Sequence, residues 1–165
     1  MSNPDLEILE TRPTSEEGLV LIRALDTDLQ HRYPQVQING LHPQDLTDPR
    51  LIFVVARIEG RAVGCGGVRE LERGVGEVKR MFVVPDCRGR GIARRLLGSL
   101  EGIAQARGYS VLRIETGSGQ PEAIALYESA GYRNIQPFGE YTGNAWSVCF
   151  EKTLPYTTAK LEPGK

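Results

Sequence analysis

The sequence is short of charge imbalance, histidine, aromatic residues and long apolar runs, and each shortage removes a class of function. Lys and Arg number 20 against 21 Asp and Glu, a formal net charge of −1. No excess of positive charge is present to drive counterion release from nucleic acid. Six Lys or Arg cluster between Lys79 and Arg95, but the rest of the chain offsets them. No aromatic-interleaved basic pattern of a nucleic-acid binder accompanies them. Cys65, Cys87 and Cys149 are an odd three without C-x-x-C or Cys/His spacing. They read as free thiols in a reducing cytosol rather than a disulfide framework or a zinc site, and no metal is expected. Met1 to Leu9 alternates polar and apolar residues, so no signal peptide is expected there. No apolar run approaches membrane-spanning length; the expectation is a cytoplasmic protein without a membrane partner. The common nucleotide loops are missing too. G-x-x-x-x-G-K-[ST] does not occur, and Gly89-Arg-Gly91-Ile-Ala-Arg94 has arginine where G-x-G-x-x-G needs its third glycine.

What is present begins with ordinary globular usage. The chain has 165 residues, 40% hydrophobic and 25% charged, which suits one domain with a substantial core. That domain is expected over 1–154, with 155–165 as a frayed tail. The most informative stretch runs from Met81 to Leu97 (Met-Phe-Val-Val-Pro-Asp-Cys-Arg-Gly-Arg-Gly-Ile-Ala-Arg-Arg-Leu-Leu). A β-branched and aromatic run passes through a glycine- and arginine-rich loop into an apolar-periodic helix. Gly89 and Gly91 permit positive φ and close backbone approach. The helix opening at Gly91 or Ile92 adds free N-terminal amides and the positive end of its dipole. Arg88, Arg90, Arg94 and Arg95 add charge. The loop is a candidate diphosphate cradle.

The elements alternate as a mixed α/β fold requires. Leu6 to Thr11 reads as a strand, and Thr14 and Glu17 have capping-box spacing ahead of a helix through Leu29. His31 to Pro49 reads as irregular, with a short helix near Pro43 to Leu46; His31 and His42 fall here and read as solvated or structural. Two strands, Leu51 to Ile58 and Ala62 to Leu71, flank the hairpin signal Glu59-Gly60-Arg61. Gly76 to Val84 is another strand, and period two puts Glu77, Lys79, Met81 and Val83 on one face. Ile92, Leu96, Leu97, Leu100, Ile103 and Ala104 recur at helical spacing, with Gly108 as the stop. Val111 to Thr116 is a strand, Pro121 to Ala130 a helix, and Trp146 to Leu154 a last strand.

Arg88, Gly91 and Ala93 spell R-x-x-G-x-A, and Pro121-Glu-Ala-Ile-Ala-Leu-Tyr-Glu-Ser-Ala-Gly-Tyr132 follows downstream. With the strand Gly76 to Val84 and the segment Arg133 to Leu154, these make the chain resemble the GNAT superfamily of acyl-CoA-dependent N-acyltransferases over roughly residues 50 to 154. The resemblance implies a mixed, mostly antiparallel sheet of about six to seven strands flanked by helices, with splayed central strands. It also implies acetyl-CoA as co-substrate, its pyrophosphate on Arg88, Gly89, Arg90, Gly91, Ile92 and Ala93. The backbone of Met81, Phe82 and Val83 would pair with the pantetheine arm like an extra strand, the Val83 N–H pointing to the thioester oxygen. Many members place Asn after the following strand to bind pantetheine. Here Ile114-Glu-Thr-Gly-Ser-Gly-Gln120 follows, and Thr116 or Gln120 stands in that place.

Direct transfer to an amine then needs a base, an oxyanion donor and an acid for the leaving thiolate. Ile124, Tyr127 and Ala130 share a helix face, so Tyr127 points inward, either as a core tyrosine or as proton donor to the CoA thiolate. A phenol near pKa 10 stays protonated at neutral pH and can serve a thiolate near about 8.5. Glu77 is the candidate base, with an ion-paired strand residue as the alternative reading of the same position. The acceptor expected is an amine of a small molecule, amino acid or peptide, and a homodimer is compatible with the sequence. A CoA-sensing module without turnover, or a longer acyl-CoA as donor, are the competing readings.

Overall fold

The computed structural model describes residues 5–34, 41 and 43–155. Chain order is β1 (Leu6–Glu10), α1 (Glu16–Arg32), α2 (Pro43–Leu46), β2 (Ile52–Ile58), β3 (Arg61–Glu72) and β4 (Val75–Val83). Then follow α3 (Ile92–Ala106), β5 (Val111–Gly117), α4 (Pro121–Ser129), β6 (Arg133–Ile135) and β7 (Ser147–Thr153). The strands form one seven-stranded sheet in the order β1-β2-β3-β4-β5-β7-β6. Every neighbouring pair is antiparallel except β4 and β5. His42 and the tail beyond residue 155 lie outside the described residues.

Local chemistry explains most element ends. The first helix is capped by Ser15, whose side chain accepts from the Gly18 N–H at 3.1 Å, rather than by Thr14 as the capping-box spacing suggests. Glu59 and Gly60 both have positive φ (49° and 80°), the backbone a tight two-residue hairpin needs. β6, three residues long, was not expected from the sequence; it gains its pairing from β7 rather than from its own composition.

The sheet is packed on both faces. Ile92, Leu96, Leu97, Leu100 and Ala104 of α3 bury one stripe against Val54, Val63, Val68, Val78, Leu112 and Ile114. Leu21 and Leu25 of α1 cover Phe53, Val55, Cys65 and Phe82 on the other face. Each fully buried aliphatic side chain in these layers contributes about 1.5–3 kcal/mol. The two helices thereby clamp β4 from opposite sides.

Candidate active site

β4 ends in a single 3₁₀ turn, Pro85–Cys87, and the chain then bends through Gly89 and Gly91, both at φ 78°. Arg61 fixes that turn by a two-pronged ion pair to Asp86 (2.7 and 2.9 Å), which holds the Asp86 carboxyl down at about 2. A Cβ at Gly89 or Gly91 would meet nothing within 4 Å, so the space above the loop is open. Gly91 caps α3 without any side-chain bond. The first-turn amides of Ile92 and Ala93 therefore have no intrahelical acceptor and face that space with the helix dipole behind them. Arg88 is placed otherwise than its charge suggests. Its Nε donates to the Val83 carbonyl at 2.9 Å, it pairs with Asp28 at 3.5 Å, and its guanidinium lies over the Phe82 ring. That side chain locks the loop to β4, while the backbone beyond it forms the cradle.

The sheet splits beside this loop. β4 and β5 pair only from Val75↔Val111 to Val78↔Ile114. Yet β4 stays on β3 as far as Val83, and β5 stays on β7 as far as Gly117. The facing edges from Lys79 and from Glu115 onward are unpaired with each other, a costly state unless a ligand bonds to them. Val84 N–H donates to Val63 at 2.9 Å, which makes Gly64↔Val83 a non-hydrogen-bonded pair. Both polar groups of Val83 thus point to the open edge. Its carbonyl takes Arg88, and its N–H is left for the cleft.

One expectation about this strand is corrected. Cys65 pairs with Phe82 but Gly67 pairs with Lys79, so β4 carries an extra residue, with Arg80 in the left-handed region at φ 61°. The bulge breaks period two. Met81 and Val83 consequently pack with Val78 towards α3, opposite to Glu77 and Lys79 rather than beside them. Phe82 takes the α1 face.

At the inner end of the split lies a cavity of about 150 Å³, lined among others by Glu77, Lys79, Arg80, Met81, Glu115, Gln120, Tyr127 and Tyr141. Tyr127 comes from α4, with its ring against Phe150 and Tyr132 (6.0 and 6.2 Å). Burial, then the charge of Glu115, push its hydroxyl above the ordinary phenol value, so it stays protonated. Glu77 is buried and fully committed. Arg69 Nε donates to one oxygen at 2.8 Å and the Tyr141 hydroxyl to the other at 2.5 Å, with Lys79 at 3.9 Å. Lys79 in turn donates to Tyr141 (3.1 Å) and Glu140 (3.4 Å).

Glu115, which the sequence reading passed over, faces the same cavity from β5. Its one hydrogen-bonded oxygen accepts from Ser147 Oγ at 3.2 Å, and no Lys or Arg among the described residues pairs with it. Burial pushes its pKa up, and the Ser147 bond opposes that only in part. It is thus the carboxylate in the cavity with room to accept a proton. Tyr141, Asn144 and Trp146 line the cavity too, from the segment Arg133 to Leu154 in which the sequence singled out no residue. Among the described residues no cluster of His, Cys, Asp or Glu is placed to hold a metal ion.

The parted strands, the loop-to-helix cradle and the cavity between them are the arrangement expected of an acyltransferase from the resemblance above. The chain belongs to the acetyltransferase (GNAT) family, whose profile matches residues 19–132. It is 42% identical over 152 residues to an "IAA acetyltransferase" of Azospirillum brasilense, covering 92% of this chain and 99% of that one. An acyl-CoA N-acyltransferase of Klebsiella pneumoniae shares 36% identity and a TM-score of 0.77, over 91% of this chain and 98% of its own. A GNAT family acetyltransferase of Elizabethkingia anophelis, solved with acetyl-CoA bound, shares the fold (TM-score 0.67, 17% identity, 92% and 99% covered).

Proposed function

We propose that the protein transfers the acetyl group of acetyl-CoA directly to a primary amine. The observation that carries this is the unpaired β4 edge, which runs from the glycine-loop cradle to a cavity holding an uncommitted carboxylate and a protonated phenol. The residues present fit the donor: open space over Gly89 and Gly91, free amides at Ile92 and Ala93, and an unpaired strand edge with the Val83 N–H. Gln120, at the start of α4, lines the opposite wall.

Bound acetyl-CoA supplies an acetyl carbon that takes the amine nitrogen while its C–S bond breaks. Everything else falls to the chain. The Val83 N–H donates to the carbonyl oxygen as negative charge grows there, a contribution on the order of 3 kcal/mol for a preorganised donor. Glu115 takes the proton that the neutral amine gives up. Tyr127 gives its proton to the departing sulfur, and the phenolate is reprotonated before the next turnover. Glu77, paired with Arg69 and Tyr141, holds that wall of the cavity in place. Three free buried thiols suit the reducing cytoplasm as its place of work.

The test is an acceptor-amine screen with acetyl-CoA, reading free thiol, run beside a melting-temperature titration with CoA. Thiol release that depends on the amine is the expected result. A CoA-induced shift with no turnover on any amine would make the protein a CoA-sensing module instead.

A further inference from the structure

Two donors in the cavity are left unused by this chemistry. Arg80 Nε and the Tyr33 hydroxyl are each buried without a hydrogen-bond partner among the described residues, and both residues line the cavity. A buried donor left unpaired is costly and is retained where a ligand completes it. The Arg80 side chain is only 5% exposed, and its backbone sits at φ 61°, an uncommon conformation for a residue other than glycine. Asp26 of α1 holds one terminal nitrogen of the guanidinium. That carboxylate takes a terminal nitrogen and is itself half-exposed, so the guanidinium is anchored while its Nε is left without an acceptor.

Tyr33 stands at the end of α1 and reaches across to the turn between β5 and α4. A Cβ at Gly117 or Gly119 would lie 2.9 or 2.8 Å from its hydroxyl oxygen, so two glycines make room for it. Leu29 and Leu25, one and two turns earlier on α1, add an apolar wall to the same cavity. Trp146 lines it too and is 62% exposed.

An arginine Nε can only donate, so its partner must bring an acceptor oxygen. The carboxylate of Glu115, without a cation of its own, is suited to receive an amine. We propose that the acceptor is a free amino acid. Its carboxylate lies on Arg80 Nε and the Tyr33 hydroxyl, its amine is turned to Glu115, and its side chain lies along Leu25 and Leu29. This rests on the cavity being the acetyl-transfer site. The other source of an acceptor oxygen is a carbonyl of the pantetheine arm, and the experiment separates the two.

The twenty common amino acids, at millimolar concentration, are screened for a further rise in melting temperature of the CoA-saturated protein. The best of them is then compared as acceptor with its carboxamide and its decarboxylated amine. The expected kcat/KM for the amino acid exceeds that of the decarboxylated amine on the order of 10²-fold, because the latter leaves the buried donors unpaired. Arg80→Lys, which keeps the charge and loses Nε, and Tyr33→Phe should each raise the acceptor KM about 10- to 100-fold. KM for acetyl-CoA should stay within about two-fold, and both variants should lose the melting-temperature response to the amino acid. The proposal is overturned if no amino acid raises the melting temperature, if the decarboxylated amine serves equally well, or if the variants raise KM for acetyl-CoA instead. An amino-acid shift that needs Arg80, in a protein that acetylates nothing, would keep the carboxylate site and remove the transfer reading. If Arg80→Lys fails to fold, Tyr33→Phe decides alone.

Discussion

Glu77 and Glu115 sit on neighbouring strands within one cavity, and their surroundings assign them different work. Glu115→Gln removes the group placed to take the proton, so kcat/KM should fall by about 10²- to 10⁴-fold at neutral pH. The pH profile gives the sharper reading. Glu115 accepts a proton only when ionised, and burial raises its pKa above the ordinary 4.5. The rate should therefore rise with pH through a limb above 4.5, and that limb should vanish in Glu115→Gln. Glu77→Gln should act first on folding, since it leaves Arg69 and Lys79 short of their buried counter-charge. Losing one partner of such a buried pair costs about 3 kcal/mol, measurable as a lower urea midpoint. For Tyr127→Phe the expected pattern is a kcat lower by about 10²-fold or more with acetyl-CoA affinity kept, because only the hydroxyl is lost. A change of only a few-fold, with chemistry shown to be rate-limiting, would return Tyr127 to the core. The thiols give an independent check of the packing. Burial pushes Cys65 up to about 12 and Cys149 to about 11, so neither should react with a thiol reagent at neutral pH until the protein unfolds.

Among the elements, β4 decides the site, and its bulge marks where the sequence stops being informative. Gly89, Gly91 and the apolar spacing of α3 could be read directly, because loop geometry and helical period are local properties. The switch of Met81 and Val83 to the α3 face could not. It depends on one extra residue opposite β3, and Val-Lys-Arg-Met-Phe-Val alternates plausibly without it. Glu115 escaped notice for a similar reason. Within Ile-Glu-Thr it is an ordinary strand position, and only the parting of β4 from β5 turns it into a cavity wall. The idle donors of Arg80 and Tyr33 are likewise products of tertiary packing. The β3–β4 ladder that shapes the cleft is itself tightly fitted. A Cβ on Gly64 would stand 2.8 Å from the Phe82 carbonyl oxygen and 3.0 Å from Leu96. Gly64→Ala should therefore destabilise the protein by about 1–3 kcal/mol, since backbone rather than a flexible side chain must yield. Because Phe82 and Val83 would shift with it, acetyl-CoA affinity should weaken too. A stable variant with unchanged affinity would show that β4 relaxes freely.

Across the whole molecule, the sheet is two blocks, β1 to β4 and β5 to β7, joined by the four parallel pairs between Val75–Val78 and Val111–Ile114. A ligand that bonds to the open edge of β4 joins the blocks further along and stabilises the folded state in proportion to its occupancy. At a hundred times its dissociation constant CoA should add about 2.7 kcal/mol. For a domain of this size that corresponds to roughly 5–10 °C in Tm. Gly91→Glu should abolish the shift, because a carboxylate at φ 78° over the first-turn amides both strains the backbone and repels the phosphates. Hydrogen exchange distinguishes a strand-like ligand from one that merely fills the cavity. The Val84 amide is already bonded to Val63 and should gain only the global increment of protection. The Val83 amide, turned to the open edge, should slow beyond that increment when acetyl-CoA binds. Equal slowing of both would mean that the arm does not lie along β4, and the oxyanion role given to Val83 would fall with it.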